Sequence, residues 1–203
     1  MDVEILARIQ FAFTVAFHYI YPPLSIGLGL LMVIVEGLYL KTGKKEYDVL
    51  TRFGLKIFAI TFGIGVATGI IMEFEFGTNW AVYSRYVGDI FGSALAAEGL
   101  FAVGLESTFL GILIFGWNRV SPRVHFICRV GVFLGSMFGG VWIVVANSWQ
   151  QTPAGYHIVG EGLMARAEVT DFWAMVFNPS SVDRIIHVWQ GAFLAGAFMV
   201  LSV

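Results

Sequence analysis

The sequence predicts an all-α, polytopic transmembrane helical bundle with its N-terminus outside and about five spans. Three observations support this fold class: the composition, five long apolar stretches, and the placement of the basic residues. The 203 residues are 58% hydrophobic and 13% charged, with a mean hydropathy of +0.79. Soluble domains average roughly 45–50% apolar and about 25% charged residues. The chain is therefore too apolar for that class.

The five predicted spans follow from the length of helix that a bilayer requires, which is about 20 mostly apolar residues. The stretches that meet this requirement are 11–40, 54–74, 93–115, 126–149 and 184–203. The alternating pattern of a membrane β-barrel is absent from them. The last stretch is still apolar at residue 203, which indicates the front part of a longer protein.

The basic residues set the predicted orientation, because cytoplasmic loops carry an excess of Lys and Arg. In connection 1–2 the basic residues are Lys41, Lys44, Lys45 and Arg52, and in connection 3–4 they are Arg119, Arg123 and Arg129. The other two connections balance or exceed their basic residues with acidic ones. Connections 1–2 and 3–4 are therefore predicted to be cytoplasmic. The longest outer connection, 150–183, contains "DFWAMVF", which predicts a short interfacial helix.

Several classes are excluded by what the sequence lacks. No basic n-region precedes the first apolar stretch, so no cleavable signal peptide is predicted. No dense basic stripe supports nucleic-acid binding. Cys128 is the only cysteine, so neither an internal disulfide nor a thiolate metal site can form.

His18 is the first candidate functional residue, because it lies inside the apolar run "QFAFTVAFHYIYPPL". A neutral imidazole is the commonest axial ligand of haem iron. Pro22 and Pro23 have no N–H to donate to the carbonyls of His18 and Tyr19, so the helix should kink there and leave room for a large ligand. The alternative is a histidine hydrogen-bonded to a neighbouring helix.

The other three histidines have different predicted roles. His187 lies near the outer end of the fifth span, at about the depth of His18, and is either a second ligand or an interfacial histidine. The two residues fit one bis-histidine haem or two separate haems. His125 and His157 fall outside the apolar core and are predicted to be solvated.

Two carboxyl groups lie in the third span, in "AAEGLFAVGLESTFLG". Burial favours the neutral form of a carboxyl group, so Glu98 and Glu106 could take up and release protons near neutral pH. They are eight residues apart, about 12 Å along a helix, and Ser107 and Thr108 adjoin Glu106. This pattern predicts rungs of a proton relay, or a carboxylate near a metal. The alternative is that each acid forms an interhelical hydrogen bond.

Glu36 and Lys56 lie near the predicted cytoplasmic ends of the first two spans and are interpreted as snorkelling anchors. Lys56 could also mark the point where protons enter. Small residues recur in two spans, at Gly63, Gly65, Ala67 and Gly69 and at Gly131, Gly135 and Gly139. This spacing predicts close helix packing, although a flat macrocycle would also fit such a smooth face.

The strings that carry these residues resemble subunit I of the cytochrome bd-type quinol oxidases. The longest is "MEFEFGTNWAVYSRYVGDIFGSALAAEGLFAVGLESTFLG", at residues 72–111. Further matching strings are "RIQFAFTVAFHYIYPPLSIGL", "FGIGVATGIIMEF", "GGVWIVVANSWQQTP" and "NPSSVDRIIHV". The resemblance runs along the whole chain and implies that residues 1–203 are one transmembrane haem-binding domain, the N-terminal part of a longer subunit.

The resemblance also implies a function. Members of this family are terminal respiratory oxidases of the bacterial or archaeal plasma membrane, which oxidise a membrane quinol and reduce dioxygen to water without pumping protons. The implied cofactors are a low-spin haem b, a high-spin haem b, and a haem d or a second high-spin haem b in its place. The implied partners are subunit II, a small single-span subunit, quinol, dioxygen and membrane lipid, with no nucleic acid.

Carried over by position, the resemblance gives each candidate residue a role. His18 corresponds to the axial ligand at the high-spin site, and His187 to one ligand of the low-spin haem b. Glu98 corresponds to the acid at the oxygen-reducing haem, as iron ligand or last proton donor. Glu106 and Ser107 correspond to a buried proton path, with Lys56 on its cytoplasmic side.

The sequence departs from the family pattern at two places on the implied proton path. Asn118 stands where some relatives have an acid, and Gly139 where some have a serine. A water chain must replace these groups, or protons must enter elsewhere. Two other classes would fit the buried residues: a proton-coupled transporter without haem, and an electron-transfer cytochrome b without oxygen chemistry.

Overall fold

The computed structural model describes residues 2–99 and 104–203 and shows a helical bundle with one small β-hairpin. Its helices are α1 (Val3–His18), α2 (Tyr21–Thr42), α3 (Lys45–Gly77), α4 (Ala81–Ala97), α5 (Gly104–Phe115), α6 (Pro122–Gln151), α7 (Phe172–Val176) and α8 (Ser181–Leu201). The hairpin strands β1 (Tyr156–Val159) and β2 (Arg166–Val169) flank a 3₁₀ turn at Gly162–Met164. The all-helical membrane class predicted from the sequence is confirmed.

Four helical stretches in the described ranges are long and apolar enough to cross a membrane: Val3–Thr42, Lys45–Gly77, Pro122–Gln151 and Ser181–Leu201. They match four of the five predicted spans. The predicted span 93–115 includes residues 100–103, which lie outside the described residues, and its second half is the shorter apolar helix α5. Helix α3, at 33 residues, would be about 50 Å long, so its ends extend beyond a hydrocarbon core of about 30 Å.

The first predicted span is broken just before Pro22 and Pro23, as the sequence predicted. Helix α1 ends at His18, and α2 begins at Tyr21 with proline in its first turn. Proline is tolerated in a first turn because its missing N–H would have no partner there. Helix α1 then runs antiparallel to the second half of α3, as contacts from Ala7 to Asn79 and from Thr14 to Glu75 show. The break therefore places His18 beside the middle of α3.

Two apolar clusters hold the bundle together. The first joins α4, α6, the hairpin and α7, and includes Ile90, Val145 and Met175. The second joins α2, α3, α5 and α6, and includes Phe58, Leu113 and Val132. We call the end with the hairpin the outer end and the end with Gly43 and residues 116–121 the inner end. The names follow the predicted orientation.

A side chain of α4 also bonds to the backbone of the hairpin, beside the apolar contacts of the first cluster. Strands β1 and β2 are antiparallel, with Tyr156 opposite Val169. The N–H of Val169 donates to the Oδ2 atom of Asp89, 2.7 Å away. Helix α7 confirms the short helix predicted from "DFWAMVF", and Trp173 and Phe177 are exposed on it. The outer connection is therefore an ordered cover over α4 and α6.

Many of the charged residues that the sequence placed in connections are helical instead, among them Lys41 in α2, Lys45 and Arg52 in α3, and Glu73 and Glu75 of the predicted connection 2–3. Glu73 and Glu75 lie in α3, because that helix continues to Gly77. Arg129 lies in α6, which begins at Pro122. The hydropathy windows ended these helices too early, because a charged residue lowers the window average even when the helix continues and the charge finds a partner inside the bundle.

Candidate functional site

The imidazole of His18 lies at the end of α1, half-buried against α3. Its Nδ1 atom is 2.9 Å from the Oγ1 atom of Thr68. Gly69 allows this contact, because a Cβ atom there would lie 3.3 Å from the Cε1 atom of His18. The predicted stripe of small residues thus serves, at this position, to admit the imidazole.

The Thr68 contact assigns the tautomer of His18. The hydroxyl of Thr68 donates its proton to the carbonyl of Ile64, 2.8 Å away, or to that of Gly65 at 3.1 Å. Its oxygen is then an acceptor for His18, so the ring carries its proton on Nδ1. The Nε2 atom keeps a free lone pair. A metal-binding histidine is usually oriented in this way, by a hydrogen bond from the nitrogen that does not bind the metal.

A row of polar groups leads from α3 through α4 and α5 to α6. The carboxyl group of Glu73 interacts electrostatically with that of Glu98, which in turn interacts with that of Glu106. Glu106 is buried, and Ser136 on α6 donates a hydrogen bond to its Oε1 atom. A cavity of about 150 Å³ adjoins the row between α3 and α4 and is lined by Glu73, Phe76 and Tyr83 among others.

The serine that contacts Glu106 differs from the one that the sequence indicated. Ser107 is exposed, and Thr108 donates to the carbonyl of Gly104 in its own helix. Ser136 was missed because no ionisable residue lies beside it in the apolar stretch 130–146. It lies three residues before Gly139, where some relatives carry serine, so one helical turn supplies a hydroxyl on the same helix. That spacing was the signal that could have found it.

The roles of two other candidate residues, His187 and Lys56, remain predictions. His187 is exposed near the start of α8, and Lys56 is exposed on α3. In the part of the chain that the structure describes, no three His, Cys, Asp or Glu side chains group around a point that could hold a bare metal ion.

Glu75 is a buried acid that the sequence did not single out. The hydroxyl of Thr14 donates to its Oε1 atom at 2.8 Å, which ties α1 to α3. Its Oε2 atom is buried and has no hydrogen-bond partner among the described residues. The neighbouring acid in the sequence, Glu73, is exposed.

A second buried cluster lies at the inner end and corrects two predictions. His125 is 3% exposed rather than solvated, and Glu36 is 3% exposed rather than a snorkelling anchor. The Nδ1 atom of His125 lies 2.7 Å from the Oε1 atom of Glu36, and Arg129 forms an ion pair with the Oε2 atom. His125 and Glu36 are buried because they find hydrogen-bond partners inside the bundle, and single-residue hydropathy does not register such pairing. His157, the other histidine predicted to be solvated, is exposed as expected.

A bundle of membrane-spanning helices, with a half-buried histidine at a helix break and acidic side chains on neighbouring helices, defines a polytopic membrane protein with ionisable groups inside the bundle. The family described as "Cytochrome bd terminal oxidase subunit I" matches residues 6–203. The chain therefore belongs to the cytochrome bd terminal oxidase subunit I family.

Individual relatives agree with this assignment. The chain is 45% identical over 202 residues to "Cytochrome bd-II ubiquinol oxidase subunit 1" of Escherichia coli (strain K12), covering all of this chain and 39% of that protein. It is 43% identical over 203 residues to "Cytochrome bd ubiquinol oxidase subunit 1" of Bacillus subtilis (strain 168), covering all of this chain and 42% of that protein. The chain thus spans about two fifths of the length of these relatives.

A solved structure shares the fold. The bd oxidase from Geobacillus thermodenitrificans superposes with a TM-score of 0.88 at 25% sequence identity, covering 97% of this chain and 44% of that one. The bundle described above is therefore the family's fold over nearly the full length of this chain.

Proposed function

We propose that the chain is the N-terminal part of subunit I of a terminal respiratory oxidase, which oxidises a membrane quinol and reduces dioxygen to water. The observation that carries the proposal is His18, held at a helix break with its Nε2 lone pair free, in a chain of this family. The relatives are named ubiquinol oxidases, which supports a quinol as the reductant. The complex would lie in the plasma membrane of a bacterium or archaeon and include subunit II and a small single-span subunit.

The residues present fit haem as the cofactor. His18 would be the axial ligand of a high-spin haem, which is haem d or a haem b in its place, and His187 one ligand of a low-spin haem b. When bound, the haems supply the electron transfer and the binding of dioxygen at iron. The fit depends on the hydrogen bond from His18 to Thr68, which leaves Nε2 as the basic nitrogen.

The acids of the row would hold and move protons. Glu98, half-buried in the continuation of α4, would be the iron ligand or the last donor of a proton. Glu106 would pass protons to Glu98 along this row. The hydroxyl of Ser136 would orient the Glu106 carboxyl group and can itself accept and donate a proton. Lys56 would lie on the cytoplasmic side of this path.

This arrangement would generate a proton gradient without pumping. Quinol oxidised near the outer surface releases its protons there, while the Glu106–Glu98 row takes protons from the cytoplasmic side. Electrons and protons then reach the same place from opposite faces of the membrane. The separation of charge follows from this geometry alone.

A visible absorption spectrum of the purified full-length complex, with a haem extraction, tests the proposal. We expect the wild-type complex to show a Soret band and, when reduced, to bind carbon monoxide. His18→Ala should lose the carbon monoxide binding. His157→Ala is the matched control, because His157 is an exposed histidine on the hairpin. A complex without a Soret band would instead be a transporter, and one with haem but no carbon monoxide binding would be an electron-transfer cytochrome.

A further inference from the structure

The cluster of Glu36, His125 and Arg129 has no part in the proposed path of protons through Glu106. It lies one turn into α6 from the inner end and joins α2, α5 and α6. All three side chains are at least 97% buried. Buried ionisable groups within a membrane-spanning bundle are costly, and they are functional candidates by default.

Both ring nitrogens of His125 face groups that accept hydrogen bonds. Nδ1 is 2.7 Å from the Oε1 atom of Glu36, and Nε2 is 3.2 Å from the carbonyl oxygen of Leu113. A carbonyl oxygen can only accept, and so can an ionised carboxylate. The ion pair with Arg129 keeps Glu36 ionised. With Glu36 ionised, both contacts are hydrogen bonds only if each nitrogen of His125 carries a proton, as in an imidazolium.

The end of helix α5 provides a second, independent reason for that charge. Leu113 lies in the last turn of α5, where backbone carbonyls lack helical partners. The negative end of the helix dipole attracts a cation at this position. His125 thus caps α5 with a charged N–H group.

The charges of the cluster do not cancel within the described residues. Arg129 and His125 are positive and Glu36 is negative, so the sum is +1. The Nη1 and Nη2 atoms of Arg129 are buried and have no partner there. They adjoin a cavity of about 10 Å³, which is roughly the room that one water molecule needs. The excess proton on His125 is therefore the group that can leave.

A short chain of contacts connects His125 to the aqueous surface. The ring of Trp117 meets that of His125 edge-on, with 4.3 Å between centroids. The guanidinium of Arg52, on α3, lies 4.2 Å from the centroid of Trp117 and pairs with Asp48 at 3.1 Å. Cys128, on α6, is a further titratable side chain near Glu36. Trp117 is thus the cover between the cluster and the inner-end surface.

We propose that Glu36, His125 and Arg129 form a buried proton-binding site, in which His125 holds a proton on both ring nitrogens and exchanges it with water at the inner end through the Trp117 cover. The site does not depend on the chemistry of oxygen. It places an exchangeable proton near the inner end of the bundle, where Asn118 lies between α5 and α6.

Solid-state NMR of the full-length oxidase complex, labelled with ¹⁵N-histidine and embedded in lipid, tests the protonation state. The signals of His125 are those absent from His125→Gln, and their proximity to Trp117 assigns them if that variant does not assemble. His157→Gln is the matched control and should remove only signals of an exposed histidine. At neutral pH we expect two protonated ring nitrogens for His125. One nitrogen without a proton would overturn the proposal.

Two variants test the parts of the site. Glu36→Gln removes the counter-charge, so one of the two N–H signals of His125 should be lost, and two surviving signals would contradict the role of Glu36. Trp117→Leu should speed the exchange of these N–H protons with deuterated buffer. Phe115→Leu, at an exposed position two residues earlier, is the control. Exchange at the wild-type rate in Trp117→Leu would rule out the Trp117 cover.

Discussion

The Nδ1 atom of His18 lies 2.9 Å from the Oγ1 atom of Thr68, across the contact between α1 and α3. The hydroxyl of Thr68 donates its hydrogen bond to a backbone carbonyl of α3, so its oxygen accepts from Nδ1 of His18. This leaves Nε2 as the basic nitrogen of His18. Thr68 would not contact the proposed haem itself, but it orients His18, which would bind the iron.

Thr68→Val should weaken haem binding at His18 by about 10–100-fold, the usual effect of removing the group that orients a metal-binding histidine. Valine keeps the shape of threonine but cannot accept the proton of Nδ1. The measurement is haem content and carbon monoxide binding of the full-length complex. Thr42→Val is the control, because the Thr42 hydroxyl bonds only within the inner-end turn of α2. Equal haem retention in both variants would show that Thr68 does not position His18.

Ser136→Ala should slow oxygen consumption more than Ser107→Ala does. Removing Ser136 leaves the buried carboxyl group of Glu106 without its partner, a change worth about 1–3 kcal/mol, whereas Ser107 is exposed. The infrared band of the Glu106 carbonyl should also shift in Ser136→Ala. The opposite order of rates would restore Ser107 as the relay residue implied by the family resemblance.

Glu98→Ala and Glu106→Ala should each keep quinol binding and slow the consumption of oxygen. Positioned proton donors commonly contribute 10²–10⁴-fold to a rate, so a decrease of about 100-fold or more is expected. The measurement is oxygen uptake beside a quinol-binding titration on the same preparation. Glu46→Ala, at an exposed site in the first turn of α3, serves as the control. Wild-type turnover in the two variants would remove the proposed proton path.

Gly196→Ala should destabilise the complex by about 1–3 kcal/mol, the usual range for overpacking. Helices α2 and α8 touch through their backbones here, and a Cβ on Gly196 would lie 2.5 Å from the carbonyl carbon of Gly27. Gly191→Ala is a close control on the same helix, because a Cβ atom there meets nothing within 4 Å. The readout is the thermal midpoint in detergent. Equal midpoints for the two variants would mean that α2 and α8 are further apart than described.

Several features of the bundle were predictable because they depend on one stretch of chain at a time. Apolar stretches predicted four of the helices, since a bilayer requires length and hydrophobicity alone. Pro22 and Pro23 predicted the break after His18, since a missing N–H is a local property. Glu98, Glu106 and His18 stood out because ionisable groups are rare within spans.

Other features depended on which helices meet. Nothing near Ser136 in the sequence indicates Glu106, and nothing near His125 indicates Glu36, which lies 89 positions away. The burial of these polar groups is stable only because each finds a partner on another helix. Hydropathy scores each residue without its partners, and it therefore predicted that His125 and Glu36 are exposed to solvent or to the membrane surface.

The sequence by itself determined the membrane class, the position of the helix break and the types of residue that could bind iron or protons. The tertiary structure decided the pairs: His18 with Thr68, Glu106 with Ser136, and Glu36 with His125 and Arg129. The physical reason is that hydrophobicity and backbone chemistry belong to single residues. A hydrogen bond exists only where two distant parts of the chain are brought within about 3 Å.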